Sequence, residues 1–133
     1  MGIKNIRICL IEDDHAFVYL AKIIMHGVDD SVEITTFPDG APAFDFFQNN
    51  KSSAEILPDL ILLDLNMPKM DGWQFLDAYE KITGEMRKTI PIYILSSSIS
   101  EKDILKAKAN LLVTDFLTKP LEKDKFAEIL GSL

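Results

Sequence analysis

The 133 residues suffice for one domain with a real hydrophobic core, and 47% hydrophobic with 26% charged residues is ordinary for a globular protein. A formal net charge of −7 argues against non-specific nucleic-acid binding, which needs a basic face, and disfavours contact with an anionic membrane surface. No apolar stretch approaches the roughly 20 residues of a membrane helix, and Glu12-Asp13-Asp14 interrupts the start before a signal-peptide apolar region can form. The single Cys9 cannot form an internal disulfide, so a reducing, cytoplasmic setting is expected.

The first apolar run covers residues 5–11 and ends in acid at Glu12-Asp13-Asp14. Within that run Cys9 is expected to be a small buried hydrophobe rather than a nucleophile. Phe17, Leu20, Ala21 and Ile24 recur at i, i+3, i+4 and i+7, one face of a helix that Asp14 is placed to cap and Gly27 to end. Residues 32–37 alternate loosely, as a strand at or near a sheet edge does. Pro38-Asp39-Gly40 reads as a turn that contains a helix cap. A short helix over residues 41–50 follows, with Pro42 tolerated in its first turn and Phe44, Phe46 and Phe47 expected in the core. Residues 49–54 then read as a polar loop.

In Leu60-Ile61-Leu62-Leu63-Asp64 four consecutive apolar residues end in one carboxylate, and Met67-Pro68 breaks the chain soon after. A short apolar run closed by a turn signal reads as a strand buried on both faces, as in a parallel sheet covered by helices. Residues 69–72 form a loop, and Phe75, Tyr79 and Ile82, with Leu76 beside them, mark a third helix that Thr83-Gly84 is expected to close. Residues 91–95 are a fourth apolar run, stopped by Ser96-Ser97-Ser98. Ser100-Glu101-Lys102-Asp103 resembles a capping arrangement ahead of a helix over residues 104–109. Residues 113–117 form a fifth strand ended by Thr118-Lys119-Pro120, and Phe126, Ile129, Leu130 and Leu133 line a last helix.

Strand and helix signals alternate throughout, with no linker, repeat or change of composition. That alternation predicts an α/β fold: a doubly wound, five-stranded parallel sheet with five helices on both faces. Right-handed crossovers bring every strand's carboxyl end to one edge, which therefore collects Glu12-Asp13-Asp14, Asp64, Ser96 and Lys119. Ligands of open α/β sheets bind at that edge. Converging carboxylates repel each other unless a cation joins them, and oxygens from Asp13 and Asp64 with a nearby backbone carbonyl suit Mg²⁺. Mg²⁺ and Lys119 together could neutralise phosphoryl oxygens while Ser96 donates a hydrogen bond. A carboxylate could then act as nucleophile and form an acyl phosphate.

With these pieces in this order, the chain resembles a response-regulator receiver domain of two-component phosphorelays, of the single-domain, chemotaxis-regulator type. The matching residues are Ile11-Glu12-Asp13-Asp14, Asp64-Leu65-Asn66-Met67-Pro68 with Asp71-Gly72, Leu95-Ser96-Ser97 and Lys119-Pro120. The resemblance implies the flavodoxin-like strand order 2-1-3-4-5 and one receiver domain over residues 1–133 without an output domain. It implies a phosphoacceptor signalling protein, not an enzyme acting on a separate substrate. Asp64 would take a phosphoryl group from a histidine kinase or a histidine phosphotransfer protein, and the acyl phosphate would later hydrolyse. Asp13 would bind Mg²⁺ directly, Glu12 largely through water, and Asn66 through its backbone carbonyl. Ser96 matches the switch hydroxyl and Lys119 the lysine that pairs with the phosphorylated aspartate, with a peptide bond before Pro120 that is commonly cis. Phe116 falls at the aromatic switch position, where it lacks a hydroxyl and must work by ring packing and rotamer. Asn66 and Ser98 fall at positions that tune dephosphorylation. The readout surface would be the fourth helix, fifth strand and fifth helix, roughly residues 100–133, facing a downstream effector protein; homodimerisation through the last helices stays open.

Other chemistry-bearing residues have plainer readings. His15, beside a helix cap, is expected to point to solvent, since a hard-metal site prefers oxygen; His26, with no partner in sequence, is expected at the surface, and Trp73 is expected to be a partly buried helix residue. A phosphatase of the haloacid-dehalogenase type also uses a strand-end Asp, but it needs a second Asp where this chain has Asn66. A flavodoxin-like electron carrier would need a phosphate-cradling loop where Glu12-Asp13-Asp14 stands. The remaining alternative is a receiver-like binding module that works without phosphorylation, which a Mg²⁺ titration would separate from the main reading.

Overall fold

The computed structural model of the protein describes residues 5–97 and 100–133. Five strands, β1 (Arg7–Ile11), β2 (Glu33–Phe37), β3 (Leu60–Asp64), β4 (Ile92–Ser96) and β5 (Val113–Thr118), alternate with five helices. The helices are α1 (His15–Val28), α2 (Gly40–Asn50), α3 (Gly72–Glu80), α4 (Glu101–Ala109) and α5 (Lys123–Gly131). All strand pairs are parallel, in the order β2-β1-β3-β4-β5. Every residue of β3 and β4 is buried, whereas β2 and β5 keep exposed positions. The unbroken apolar runs therefore mark interior strands and the loose alternation of residues 32–37 an edge strand, as expected.

The period-2 alternation of the interior strands divides the core into two layers. Cys9, Ile11, Ile61, Leu63, Ile92 and Ile94 face α2 and α3, where Phe47, Phe75 and Tyr79 fill the space. Ile8, Leu10, Leu60, Leu62, Tyr93 and Leu95 face α1 and α5, packed by Ala21, Met25, Phe126 and Ile129. Phe47 stands edge-on to Phe46 and Tyr79 at 5.3 Å and to Phe75 at 6.0 Å, so the phenylalanine run does supply core. Burial pushes the Cys9 thiol well above its ordinary range, consistent with an inert packing residue.

Local capping follows the sequence closely. Asp14 accepts from the amides of Ala16 and Phe17 at 3.0 and 3.2 Å, Asp39 from Ala41 at 2.8 Å, and Ser100 from Asp103 at 3.0 Å. Asp71 and Gln74 form a reciprocal capping box.

Several expected boundaries shift. Gly27 lies inside α1, which runs to Val28 and closes at Asp29 in extended backbone; the chain leaves straight towards β2, so no left-handed glycine is required. Leu20 is 56% exposed, because the inward stripe runs through Phe17, Ala21, Ile24 and Met25. It sits about a quarter turn from the centre of that stripe at roughly 3.6 residues per turn. The third helix stops at Glu80, and residues 83–85 form a separate 3₁₀ turn. Leu133 lies past the end of α5 and is 45% exposed. Among the described residues no helix is long and apolar enough to cross a membrane.

Candidate functional site at the carboxyl edge of the sheet

Parallel pairing puts the last residues of β1, β3, β4 and β5 side by side. Ile11 is level with Leu63, Asp64 with Leu95, and Ser96 with Thr118. Glu12, the first residue past β1, is 3% exposed and Asp64 4%, while Asp13 stays exposed. Carboxylate oxygens of Glu12, Asp13 and Asp64 lie within 4.8 Å of one another. One oxygen of Glu12 accepts from the amides of Asp13 and Asp14 at 3.1 and 3.4 Å, and its other oxygen takes the ammonium of Lys119. The same ammonium is 3.5 Å from Asp64 Oδ1.

Burial is the largest influence on Glu12, followed by the carboxyl of Asp64 beside it. Together they outweigh Lys119 and push Glu12 up to about 7. A crowded acidic trio relieved by one lysine is the electrostatic signature of a cation site. The donor set is all oxygen, and the exposed Asp13 leaves room for water ligands, so the residues fit a hard divalent ion such as Mg²⁺.

The rest of the expected set is arranged around this cluster. Ser96 is fully buried at the end of β4, and its backbone carbonyl accepts the Lys119 amide at 3.0 Å. The Lys119–Pro120 peptide bond is cis, as the motif implied. Asn66 lies exposed on the turn two residues past Asp64. That turn is tied down by Gly72, whose amide donates to the Leu65 carbonyl at 3.0 Å. Phe116 is not part of the cluster. It sits half-buried on β5 between a cavity of about 220 Å³ against α4 and another of about 240 Å³ beside Pro120 and Lys125. Ser98 lies outside the described residues.

His15 is exposed and belongs to no ligand cluster among the described residues; His26 is exposed and reaches the Val32 carbonyl at 3.1 Å. Trp73 is half-buried, as expected, and its indole N–H donates to Asp103 at 3.3 Å. The ammonium of Lys106 lies 4.6 Å from the centroid of the Trp73 ring, so this residue joins α3 to α4.

One participant is absent from the sequence reading. The Lys119 ammonium lies over the ring of Phe17, 4.4 Å from its centroid. Periodicity assigned Phe17 to a core stripe; the usable signal was its place four residues after Asp13, one turn into the helix that starts at the site.

The sequence profile of the response regulator receiver domain matches residues 8–131. The chain belongs to that family. Receiver domains are phosphoacceptor signalling proteins that bind Mg²⁺ through acidic residues and interact with histidine kinases or phosphotransfer proteins and with downstream effectors. The receiver is 34% identical over 126 residues to Response regulator Rcp1 of Synechocystis sp., covering 93% of this chain and 84% of that protein. A two-component response regulator from Cytophaga hutchinsonii has the same architecture in its crystal structure, with TM-score 0.85, 27% identity and 97% of each chain covered. Other relatives are longer: the chain is 32% identical to the transcriptional regulatory protein KdpE of Staphylococcus aureus, covering 90% of this chain but only 46% of that protein.

Proposed function

We propose that this receiver carries signal as an acyl phosphate on Asp64, formed in the presence of Mg²⁺ from the phosphohistidine of a histidine kinase or phosphotransfer protein. One observation carries this reading: a buried carboxylate at the end of β3, within 4.8 Å of two further carboxylates and 3.5 Å from a lysine ammonium. An oxygen of Asp64 attacks phosphorus as the P–N bond to the donor imidazole breaks, and solvent protonates the leaving nitrogen. Asp13 and Asp64 would hold the ion directly, Glu12 largely through water, and Asn66 by its backbone carbonyl. When bound, Mg²⁺ supplies positive charge for the phosphoryl oxygens.

Lys119 neutralises a further phosphoryl oxygen from the position it already holds beside Asp64. Ser96, at the end of the neighbouring strand, gives its hydroxyl to the phosphoryl group. Ser96 and Lys119 are joined through the backbone, so a shift of one is felt by the other. Phe116 follows by changing rotamer, for which the cavities on either side give room. The α4–β5–α5 surface thereby changes shape for an effector protein.

The test is intact mass after treatment with acetyl phosphate and Mg²⁺. The native chain gains a labile adduct of about 80 Da, and Asp64→Asn gains none. An unmodified native chain with both acetyl phosphate and a phosphohistidine donor would sink this reading. A binding module that works without phosphorylation would then take its place.

A further inference from the structure

We infer that Phe17 is a positioning residue for phosphoryl transfer: the face of its ring holds the Lys119 ammonium between Glu12 and Asp64. This rests on the reading of Asp64 as phosphoacceptor and adds a residue that the acidic and lysine motifs do not contain.

Both backbones are fixed before the side chains meet. The Lys119 amide is bonded to the Ser96 carbonyl at 3.0 Å, and the Phe17 amide to the Asp14 side chain at 3.2 Å. What remains free is the four-carbon stem of Lys119, a flexible tether for a compact point charge. Its side chain is only 14% exposed, so water holds little of that charge. Glu12 and Asp64 draw the ammonium from the carboxylate side, and the Phe17 ring, 4.4 Å away, supplies a negative face. Desolvation of this kind is the condition under which cation–π attraction is strongest.

The ring differs from the carboxylates in one respect. Lys119 must exchange partners when Asp64 becomes phosphorylated, because a phosphoryl oxygen then competes with Glu12 for the ammonium. An uncharged ring face neither titrates nor takes a metal or a phosphoryl group. It can therefore hold the ammonium at the site before and after transfer. The competing account treats Phe17 as ordinary periphery of the α1–α5 core layer, against which it is half-buried. Packing of that kind requires volume, whereas positioning requires the quadrupole of the ring.

The experiment separates volume from quadrupole in the full chain. Phe17 is replaced by 3,5-difluoro- and 3,4,5-trifluorophenylalanine, which nearly keep its shape while weakening its negative face. Phe17→Leu and Asp64→Asn are made alongside, and adduct formation from acetyl phosphate with Mg²⁺ is timed by intact mass. The expected rate falls stepwise with fluorination, by roughly two- to fivefold for the trifluoro ring at an unchanged thermal midpoint, and at least as much for Phe17→Leu, whose midpoint falls because the smaller side chain also gives up packing. In metal-free protein, the Lys119 ε-methylene protons show an upfield ring-current shift that Phe17→Leu removes.

A trifluoro variant that reacts at the native rate overturns the role of the ring and leaves the acceptor reading standing. Rates that fall only in step with thermal midpoints assign Phe17 to packing and likewise overturn the role. A native chain that takes no phosphoryl group overturns the acceptor reading itself, and the positioning role falls with it.

Discussion

Replacing Gly72 by alanine makes the same chemical change as replacing Gly27, yet the two should move stability in opposite directions. A Cβ built on Gly72 meets the backbone oxygen of Asp64 at 2.6 Å, Leu65 Cα at 2.9 Å and Leu65 Cδ2 at 3.0 Å. Two of these are main-chain atoms of the turn that presents Asp64, so a side-chain rotation cannot relieve the overlap. Gly72 has no left-handed φ, so the penalty is steric. Overpacking of this kind costs about 1–3 kcal/mol. The 2.6 Å contact with main chain puts the cost in the upper half of that range, about 2–3 kcal/mol; the lower chain entropy of alanine returns about 0.5–1 kcal/mol, leaving a net loss of about 1–2.5 kcal/mol. Gly27 lies inside α1 with nothing within 4 Å of the added carbon, so Gly27→Ala should gain about 0.5–1 kcal/mol. For a domain of this size each kcal/mol moves the thermal midpoint by about 3–5 °C. Urea titration should therefore show a lower midpoint for Gly72→Ala and a higher one for Gly27→Ala, at an unchanged slope. Gly72→Ala should also slow adduct formation, because its Cβ pushes on the carbonyl of Asp64, the proposed acceptor. Equal stability of Gly72→Ala and the native chain would refute the claim that this turn is held at backbone contact.

The metal-free protein in chelator should become more stable as pH falls from 8 to 5. Glu12 is raised to about 7 in the folded chain from 4.5, so its contribution is complete below about 4.5 and lost as pH rises through about 7; Glu12→Gln should flatten this part of the stability profile. Asp13 is exposed, so Asp13→Ala should leave the metal-free stability within about 0.5 kcal/mol of native. The same variant should lose most of the midpoint rise that Mg²⁺ gives the native chain, as thermal melts with and without the ion would show. Phe47→Ala should cost about 3–5 kcal/mol in urea titration, because a fully buried ring that touches three other aromatic rings leaves a cavity the helices cannot close. Asp103→Ala should change the emission of Trp73, the sequence's single tryptophan, by freeing its indole N–H, whereas Lys51→Ala, which breaks a surface pair with Glu85, should not.

The sequence alone determined the order and kind of the elements, because apolar period and capping chemistry are local properties. The all-apolar run at residues 60–63 could be satisfied only by cover on both faces, and the loose alternation at residues 32–37 only at an edge. The convergence of Glu12, Asp13, Asp64, Ser96 and Lys119 on one edge was legible for the same reason: parallel strands with right-handed crossovers leave no other arrangement.

Only the tertiary structure decided how those groups share charge and which neighbours hold them. The pairing of Lys119 with Glu12 joins residues 107 positions apart, and its approach to the Phe17 ring likewise joins the loop after β5 to α1. No pattern within a window of the chain contains either contact. Leu20 and Phe17 satisfied the same helical period, yet one faces solvent and the other the lysine, because the rotation of α1 is set by its packing against β1 and α5. Periodicity defines that a face exists; the partner across the interface decides which residues lie at its centre and which at its rim.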